Sequence, residues 1–471
     1  MTAIDLNVGS ALRMANRDVM EVRAAGRTIW SPPWVPKGDN GSLFTAGAKY
    51  TTRQFWHQGQ KADNAAFKAS MGLVFSRTSS KGYLNSSGAY AVASANVEAF
   101  DTTAGGVARG LSMEVARTNI AIQSNTLSAA DWSKDAVTVA ASGDRWQIRE
   151  TTTASVIHRV LKGAEVVVAG TPVTRSHFVR KAGRRYGFDR FMLDGVARNV
   201  GYDFDTGLIT FASAGFGTPR FTAVPGSPGE FLLEVTATPT TTTFQLTGAG
   251  PAAAAVTSDA APVIIGAGDP AQGLDFRDDQ MEAGLFRSST MRTGAGSFVR
   301  TQDFLANVSA GGLPFPGFDP TQLTFLWQGE TAHVTGSPTE VLFSFDDNTS
   351  NNRIECAING SGQCSLVVVT GGVVQAAFTT GVIARNTVFR VGFGCGPDPA
   401  NPGGPSIAKF YLNGAQVSVT DTNVAIPTVT RLRLGSGGAG GSPMQGWIAE
   451  WWHQAATAWG RMAALSVVGA V

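Results

Sequence analysis

Residues 366–378, LVVVTGGVVQAAF, form the most apolar run of the sequence. The run is interrupted at Thr370, Gly371, Gly372 and Gln375. It is therefore too broken to span a membrane, which takes about 18 or more uninterrupted apolar residues. Instead it predicts two short strands joined by a turn.

The same pattern of short apolar or alternating segments, separated by turn residues, recurs along most of the chain. Towards the N-terminus it predicts strands at Val137–Ala140, Ser155–Val160, Phe188–Leu193, Leu208–Phe211, Phe231–Thr236 and Thr243–Leu246. Towards the C-terminus it predicts strands at Thr324–Trp327, Val341–Phe345, Arg353–Ile358, Ser365–Thr370, Val388–Phe393, Ala408–Leu412 and Arg431–Leu434. Strands at this spacing, with no helical period between them, are typical of β-sandwiches. Only residues 453–465 have helical character, and no repeat of fixed period indicates a solenoid.

The composition excludes several classes of protein. The 471 residues carry 37 Lys and Arg against 35 Asp and Glu, a net charge of +2, and only 15% are charged. An ordinary domain has roughly 25%. This low charge argues against coiled coils and charged disordered tails, and the near-neutral balance gives no basic surface for nucleic acid. The N-terminal sequence lacks the basic start and apolar run of a signal peptide, so we expect none.

Three cysteines cannot form a disulfide framework in a chain of this length. Cys356 and Cys364 flank a predicted turn at 359–362. A three-residue loop centred on Gly360 would place them directly opposite each other, and a two-residue loop would offset them by one. Two unbonded thiols and a disulfide both stay open, and Cys395 is unpaired in either case.

The residues that most enzymes need are not arranged in recognisable motifs. No two of the five histidines stand at a spacing typical of a zinc pair, and there is no nucleophile elbow or phosphate loop. Asp346 and Asp347 are adjacent, which is not the paired arrangement that glycoside hydrolysis requires. The densest charge cluster, Asp275–Asp279, predicts a turn or strand-end network, and its spacing does not match an EF-hand. We therefore expect no enzyme activity, no metal and no cofactor.

A run of motifs resembles a module of tailed-bacteriophage fibre, spike and other virion proteins. Gly110–Ile120 (GLSMEVARTNI), followed by Trp132, is similar to the start of that module. Residues 176–183 (SHFVRKAG), 203–207 (DFDTG) and 280–286 (QMEAGLF) are similar to its later landmarks, in the same order. The resemblance implies a jelly roll like those of carbohydrate-binding modules.

The flanking parts of the chain resemble other segments of such proteins. Residues 410–414, 431–436 and 445–448 resemble a concanavalin A-like or laminin-G-like domain, and residues 22–32 resemble N-terminal segments that dock on the particle. The resemblance implies an all-β multidomain chain with a short C-terminal helix. Its parts would be an anchoring hairpin segment (1–45), a β-rich connector (46–110), the jelly roll (111–296) and the concanavalin A-like domain (297–471).

This resemblance implies a structural virion protein: a tail fibre, head spike or collar fibre, assembled in the host cytoplasm. Its partners would be other virion proteins, host-surface polysaccharide and further copies of itself, with a trimer favoured, and neither nucleic acid nor membrane. A decoration protein without a receptor and a capsule depolymerase are the alternatives.

Candidate site residues follow from exposure and residue chemistry. The polar loop 346–353 offers Asp346, Asp347, Asn348, Asn351, Asn352 and Arg353 for glycan contact. Trp451 joins them because two adjacent tryptophans, Trp451 and Trp452, cannot both face one side of a strand. Arg27, Ile29 and Trp30 are the predicted anchoring residues. Glu114, Arg117, Thr118 and Asn119 carry the module motif, and we expect them to tie the module to the preceding segment through buried hydrogen bonds.

Overall fold

A computed structural model describes most of the chain. The described residues are 22–24, 27–30, 46–57, 60–103, 106–307, 312–315, 318–398, 400–401, 403–418, 420–438, 441–454 and 462–468. The first two of these ranges form an antiparallel hairpin of β1 (Val22–Ala24) and β2 (Arg27–Trp30), as the sequence predicts.

The connector segment, residues 46–110, contains short strands and one helix that the sequence analysis does not predict. The helix, α1 (Asn64–Met71), begins at Asp63, whose carboxylate accepts a hydrogen bond from the Ala66 amide, and ends at Gly72 in a left-handed conformation. It buries Phe67 and Met71. The strands are β3 (Ala46–Lys49), β4 (Gln54–His57), β5 (Gln60–Ala62), β6 (Leu73–Ser76), β7 (Lys81–Leu84), β8 (Tyr90–Ala93), β9 (Phe100–Thr102) and β10 (Ala108–Met113).

The middle of the chain forms a jelly-roll sandwich of two antiparallel sheets. Its strands and the short ribbons beside them are β11 (Arg117–Asn119), β12 (Trp132–Asp135), β13 (Val137–Ser142), β14 (Arg145–Glu150), β15 (Ala154–Val156), β16 (Arg159–Lys162), β17 (Glu165–Val166), β18 (Val173–Ala182), β19 (Tyr186–Leu193), β20 (Val196–Asp203), β21 (Leu208–Ala212), β22 (Arg220–Ala223), β23 (Glu230–Ala237), β24 (Thr243–Ala252), β25 (Ile264–Ala267), β26 (Gly273–Ala283) and β27 (Phe298–Arg300). One sheet runs β12-β16-β24-β19-β20-β21, with β17 also on β24, and the other runs β13-β14-β26-β18-β23-β22. Trp132, Tyr202 and Phe276 lie in the core between them.

The C-terminal part completes a second, larger sandwich. Its elements are β28 (Phe304–Asn307), β29 (Leu323–Thr331), β30 (Glu340–Asp346), β31 (Arg353–Ile358), β32 (Gln363–Thr370), β33 (Val373–Val382), β34 (Phe389–Pro397), β35 (Ser406–Leu412), β36 (Ala415–Gln416), β37 (Asp421–Thr422), β38 (Arg431–Leu434), β39 (Gly446–Gln454) and α2 (Met462–Leu465). The chain is therefore almost entirely β, as the sequence predicts. Of the predicted helical range 453–465, residues 453 and 454 belong to β39, and the described helix α2 covers Met462–Leu465.

The second sandwich also takes in strands from the connector. Its eleven-stranded sheet includes the path β36-β35-β34-β29-β39-β3-β4-β5, and β10 also pairs with β39. Its seven-stranded sheet runs β33-β32-β31-β30-β38-β28-β6. Residues 46–113 and 304–454 thus share both sheets and one core, and the jelly roll lies between these two parts in the sequence.

The cysteine pair lies on neighbouring strands of the smaller sheet. Cys356 is opposite Leu366, and Cys364 is opposite Ile358, so the two cysteines are diagonal neighbours, two positions apart. This differs from both predicted loop geometries. Their sulfur atoms are 3.5 Å apart, and all three cysteines are buried free thiols.

No helix in the described part of the chain is long and apolar enough to cross a membrane.

Candidate functional site

The polar loop between β30 and β31 is held in shape by its own side chains. The Asp347 carboxylate accepts hydrogen bonds from the Thr349 amide at 2.9 Å and from the Asn352 side chain at 2.8 Å. Asn352 in turn accepts from the Gly371 amide at 2.9 Å, which ties the loop to the turn between β32 and β33. Partial burial acts to raise the pKa of Asp347, but hydrogen bonds from Thr349 and Asn352 outweigh it and lower the pKa.

Two arginines of β38 fix the other side of this loop. The side-chain oxygen of Asn348 accepts hydrogen bonds from Arg431 at 3.2 Å and from Arg433 at 2.7 Å. The sequence did not single out these arginines, because they lie 83 and 85 residues away from Asn348 along the chain. The predicted strand at 431–434 is the only sequence feature that points to this contact, because β38 pairs with β30, the strand that leads into the loop.

Asp346 is wrongly predicted as a surface residue of the loop. It is the last residue of β30, is fully buried, and forms an ion pair with Arg433 at 2.9 Å. It also accepts a hydrogen bond from the Asn348 amide at 2.8 Å. Because its oxygens are engaged inside the sandwich, it supports the loop and does not present itself to a ligand.

Two amide groups of this loop face solvent. Asn351 is exposed, and no hydrogen bond from its side chain occurs within the residues that the structure describes. Asn348 is exposed as well, and within the described ranges only its side-chain oxygen is engaged, so its side-chain NH₂ group is available. Arg353 reaches back to the Ser350 carbonyl and lies 3.7 Å from Glu355, so it closes the loop. Primary amides offer both a donor and an acceptor, which suits pairs of sugar hydroxyls.

The prediction that Trp451 contributes to a ligand surface is wrong. Its side chain is 0% exposed and stacks on Phe325 with ring centres 5.8 Å apart. Its neighbour Trp452 is also 0% exposed. The two do face opposite sides of the strand, but the outer side is covered too: a side chain at Gly392, on the same sheet, would touch Met462 of α2. Alternation along the strand predicts that one tryptophan faces outward, but it does not indicate that another element covers this outer side.

The motif residue Glu114 is at the centre of a buried network that joins three parts of the chain. Its carboxylate lies 3.0 Å from Lys81 of the connector and 3.1 Å from Arg300. It also accepts hydrogen bonds from the Ser289 amide and from Gln445, each at 2.7 Å. Burial acts to raise the pKa of Glu114, but the two cations and the hydrogen bonds hold it well below its usual range.

Asn119 forms the buried hydrogen bonds expected of the motif, but its partners lie within the jelly roll and not in the preceding segment. Its side-chain NH₂ donates to the Met291 carbonyl at 2.7 Å, and its oxygen accepts from the Ala121 and Met281 amides at 3.0 and 2.9 Å. Asn119 is fully buried, and through these hydrogen bonds it joins three backbone segments.

Arg117 and Thr118 border an open cleft of about 340 Å³. The Arg117 guanidinium donates to the Ala283 carbonyl and lies 3.8 Å from Glu282. The valines Val166 and Val168, which are 78% and 69% exposed, also line the cleft. The cleft is mostly apolar, and no local sequence pattern indicates it, because its walls come from distant parts of the chain.

The charge cluster at 275–279 does not lie in a turn or at a strand end, as predicted. It lies within β26, a central strand of the jelly roll, and is buried. Asp275 pairs with Arg180 at 2.6 Å and Asp279 pairs with Arg175 at 2.6 Å, both arginines being on β18. Asp278 pairs with Arg292, which lies outside the strands, at 2.6 Å. Across the described ranges, no group of three or more His, Cys, Asp or Glu residues is placed to hold a metal ion.

Arg27, Ile29 and Trp30, which the sequence predicts as anchoring residues, lie on β2. Their side chains are outside the described part of the structure.

Comparison with known proteins shows distant structural likeness only. No family model matches the chain, and no curated protein matches its sequence. The CBM40 module of the Ruminococcus gnavus IT-sialidase, bound to α2,3-sialyllactose, has a TM-score of 0.26 at 17% identity, covering 31% of this chain and 83% of the module. A heptameric SAP-like pentraxin from Limulus polyphemus has a TM-score of 0.25 at 16% identity, covering 34% and 79%. Mouse laminin α1 domains LG4-5 have a TM-score of 0.22 at 10% identity, covering 64% and 85%.

Proposed function

We propose that this chain is a non-enzymatic protein that binds glycans through the loop 346–353. The observation that carries the proposal is the pair of exposed amides, Asn348 and Asn351, on a loop whose conformation is fixed by Asp347 and by Arg431. A loop that is already ordered loses little conformational entropy on binding, so its amides can engage hydroxyl groups at low cost.

We further propose that the protein is part of a phage particle, as a tail fibre, head spike or collar fibre. The motifs at 110–120, 176–183, 203–207 and 280–286 support this role through their resemblance to virion modules. Residues 1–45 would dock on the particle through Arg27, Ile29 and Trp30, and the chain would act as a homo-oligomer, with the trimer favoured by the resemblance. Several copies on one particle would convert weak single-site binding into avidity.

We also propose that the protein does not cleave the glycans that it binds. Glycoside hydrolysis needs two carboxyl groups facing the substrate. In this loop Asp346 is buried against Arg433, which leaves Asp347 as its one accessible carboxylate. Incubation of the purified protein with host polysaccharide should leave the chain length of the polysaccharide unchanged. Shortened polysaccharide would overturn this reading in favour of a depolymerase.

The glycan proposal is tested on the full chain with a glycan array and host-cell binding. The double variant Asn348→Gly, Asn351→Ala removes both amides, and glycine accommodates the positive φ of 73° at position 348. The control is Asn401→Ala, at an exposed position in another loop of the same sandwich. We expect the double variant to lose binding and the control to keep it. Asn348→Gly also removes the acceptor for Arg431 and Arg433, so the double variant should melt slightly below the wild-type protein. The single variant Asn351→Ala should weaken binding with an unchanged melting temperature, which separates ligand contact from loop conformation.

A blank array for the wild-type protein would instead support a decoration protein without a receptor. A monovalent dissociation constant below a micromolar would contradict the expected reliance on avidity. Point variants are preferable to removal of residues 297–471, because that deletion would also remove the pairing partners of β3 and β10.

A further inference from the structure

The outermost strand of the smaller sheet in the C-terminal sandwich has one open edge. β33 (Val373–Val382) forms a hairpin with β32, and in the part of the chain that the structure describes it pairs with no other strand. In an antiparallel strand, alternate residues direct their N–H and C=O groups to opposite edges. Part of the backbone of β33 is therefore directed outward, where another strand could pair with it.

This edge lacks most of the features that usually prevent pairing with other chains. Proteins commonly protect edge strands with charged residues, proline, bulges or short length. β33 has ten residues, none of them charged and none proline, and six are exposed. Its two bulges, at Gln375 and at 380–381, leave residues 376–379 in regular register between them.

The absence of charge extends well beyond the strand. Every residue from Cys356 to Ala384 is uncharged, although 15% of the whole chain is charged. Two other edge strands carry charges: β12 has Lys134 and Asp135, and β22 has Arg220. The edge strands β13 and β21 are uncharged as well, but they are shorter, with six and five residues. The exposed side chains of β33 are moreover apolar in part, with Val374 and Val382 exposed by 57% and 67%.

We infer that β33 pairs antiparallel with β33 of a second copy of this chain, across a two-fold axis. A two-fold axis brings identical residues close to one another, so any charge on the strand would face a like charge. This edge carries none, and an antiparallel strand can pair with itself because its outward N–H and C=O groups match when it is rotated by 180°. The inference does not depend on glycan binding. It predicts an even number of copies, unlike the trimer that the motif resemblance favours.

The test places a lysine on this edge. Ala377→Lys and, independently, Thr379→Lys introduce a charge at exposed positions of β33, and Ala141→Lys does so at an exposed position of β13, an uncharged edge strand of the jelly roll. Sedimentation velocity over a range of concentrations measures the mass of each full-length protein against 49.2 kDa for one chain. Thermal unfolding confirms that each variant is folded.

We expect the wild-type protein and Ala141→Lys to reach a two-chain mass, and each β33 variant to dimerise at least tenfold more weakly. A wild-type protein that is monomeric at every concentration would overturn the inference, since the open edge would then serve a different partner or none. A three-chain mass would overturn the two-fold geometry. Equal dimerisation of the wild-type protein and both β33 variants would place the interface elsewhere and also overturn it.

Discussion

Substitution of Glu114 by glutamine tests whether the buried network at the junction of the two sandwiches stabilises the protein. Glutamine has the shape of glutamate, so packing is preserved while the negative charge is lost. One oxygen remains to accept from the Ser289 amide and from Gln445. The other is replaced by an NH₂ group that faces the cations Lys81 and Arg300.

The expected cost follows from the burial of these charges. Lys81 keeps its pair with Asp303 at 2.5 Å, but Arg300 loses its anionic partner while fully buried. Removal of one member of a buried ion pair costs about 3–5 kcal/mol. With an unfolding entropy of about 2.1 cal/mol/K per residue, a chain of this length loses about 3–5 °C in melting temperature.

Differential scanning calorimetry of the full chain measures this shift. The matched control is Asp205→Asn, the same kind of isosteric change at an exposed ion pair with Lys181, which is expected to cost less than about 1 kcal/mol. The double variant Arg300→Met, Glu114→Gln removes the cation that would be left unpaired, so it should recover part of the loss, with a coupling energy of about 0.5–3 kcal/mol. If Glu114→Gln melts within about 1 °C of the wild-type protein and of the control, a stabilising role for this network is refuted.

Three further predictions concern other parts of the structure. Ion pairing with Arg277 outweighs burial and lowers the pKa of Glu230 to about 2, so its contribution is complete above its unfolded pKa of about 4.3 and is lost as the pH falls through about 2. The wild-type protein should therefore melt above Glu230→Gln at pH 7, and the difference should vanish near pH 1; a difference that does not change with pH would contradict this. Gly110 has a φ of +117°, and a Cβ there would lie 2.2 Å from the Ile448 carbonyl oxygen, so Gly110→Ala should destabilise by more than the roughly 1–3 kcal/mol of backbone strain alone, as measured by urea unfolding. Burial raises the pKa of the Cys356 thiol, and all three thiols are inaccessible, so Ellman's reagent should react with none of them until the protein is unfolded; rapid reaction of the native protein would argue against this burial.

Local sequence patterns predicted most strands correctly because they depend only on neighbouring residues. The apolar run at 366–378 forms the predicted hairpin, and the alternation in Val341–Phe345 lies within β30. The helix α1 was missed because its amphipathic pattern is short and weak. The pairing of β3 and β10 with β39 could not be predicted either, since no local pattern identifies a partner more than 300 residues away.

The candidate site was predicted only in part, for a similar reason. Exposure of Asn348 and Asn351 followed from the polar composition of their loop. The burial of Asp346 and Trp451 did not, because it depends on Arg433 and on α2, which reach these residues through tertiary packing. Likewise, the local sequence does not show that the charges of β26 are buried, because most of their ionic partners lie far away along the chain.

The course of the chain through the C-terminal sandwich has a consequence for biosynthesis. β39 lies between β29 on one side and β3 and β10 on the other, and it follows every other described strand in the sequence. During translation, β3 and β10 therefore emerge long before β39, with which they pair, whereas the jelly roll is complete before β39 is made. We expect the jelly roll to fold first on the ribosome, while β3 and β10 still lack their pairing with β39. At this stage the unpaired edges of β3 and β10 are exposed to other chains. A chaperone that covers them should therefore raise the yield of native protein, and slow translation of residues 304–445 should lower it.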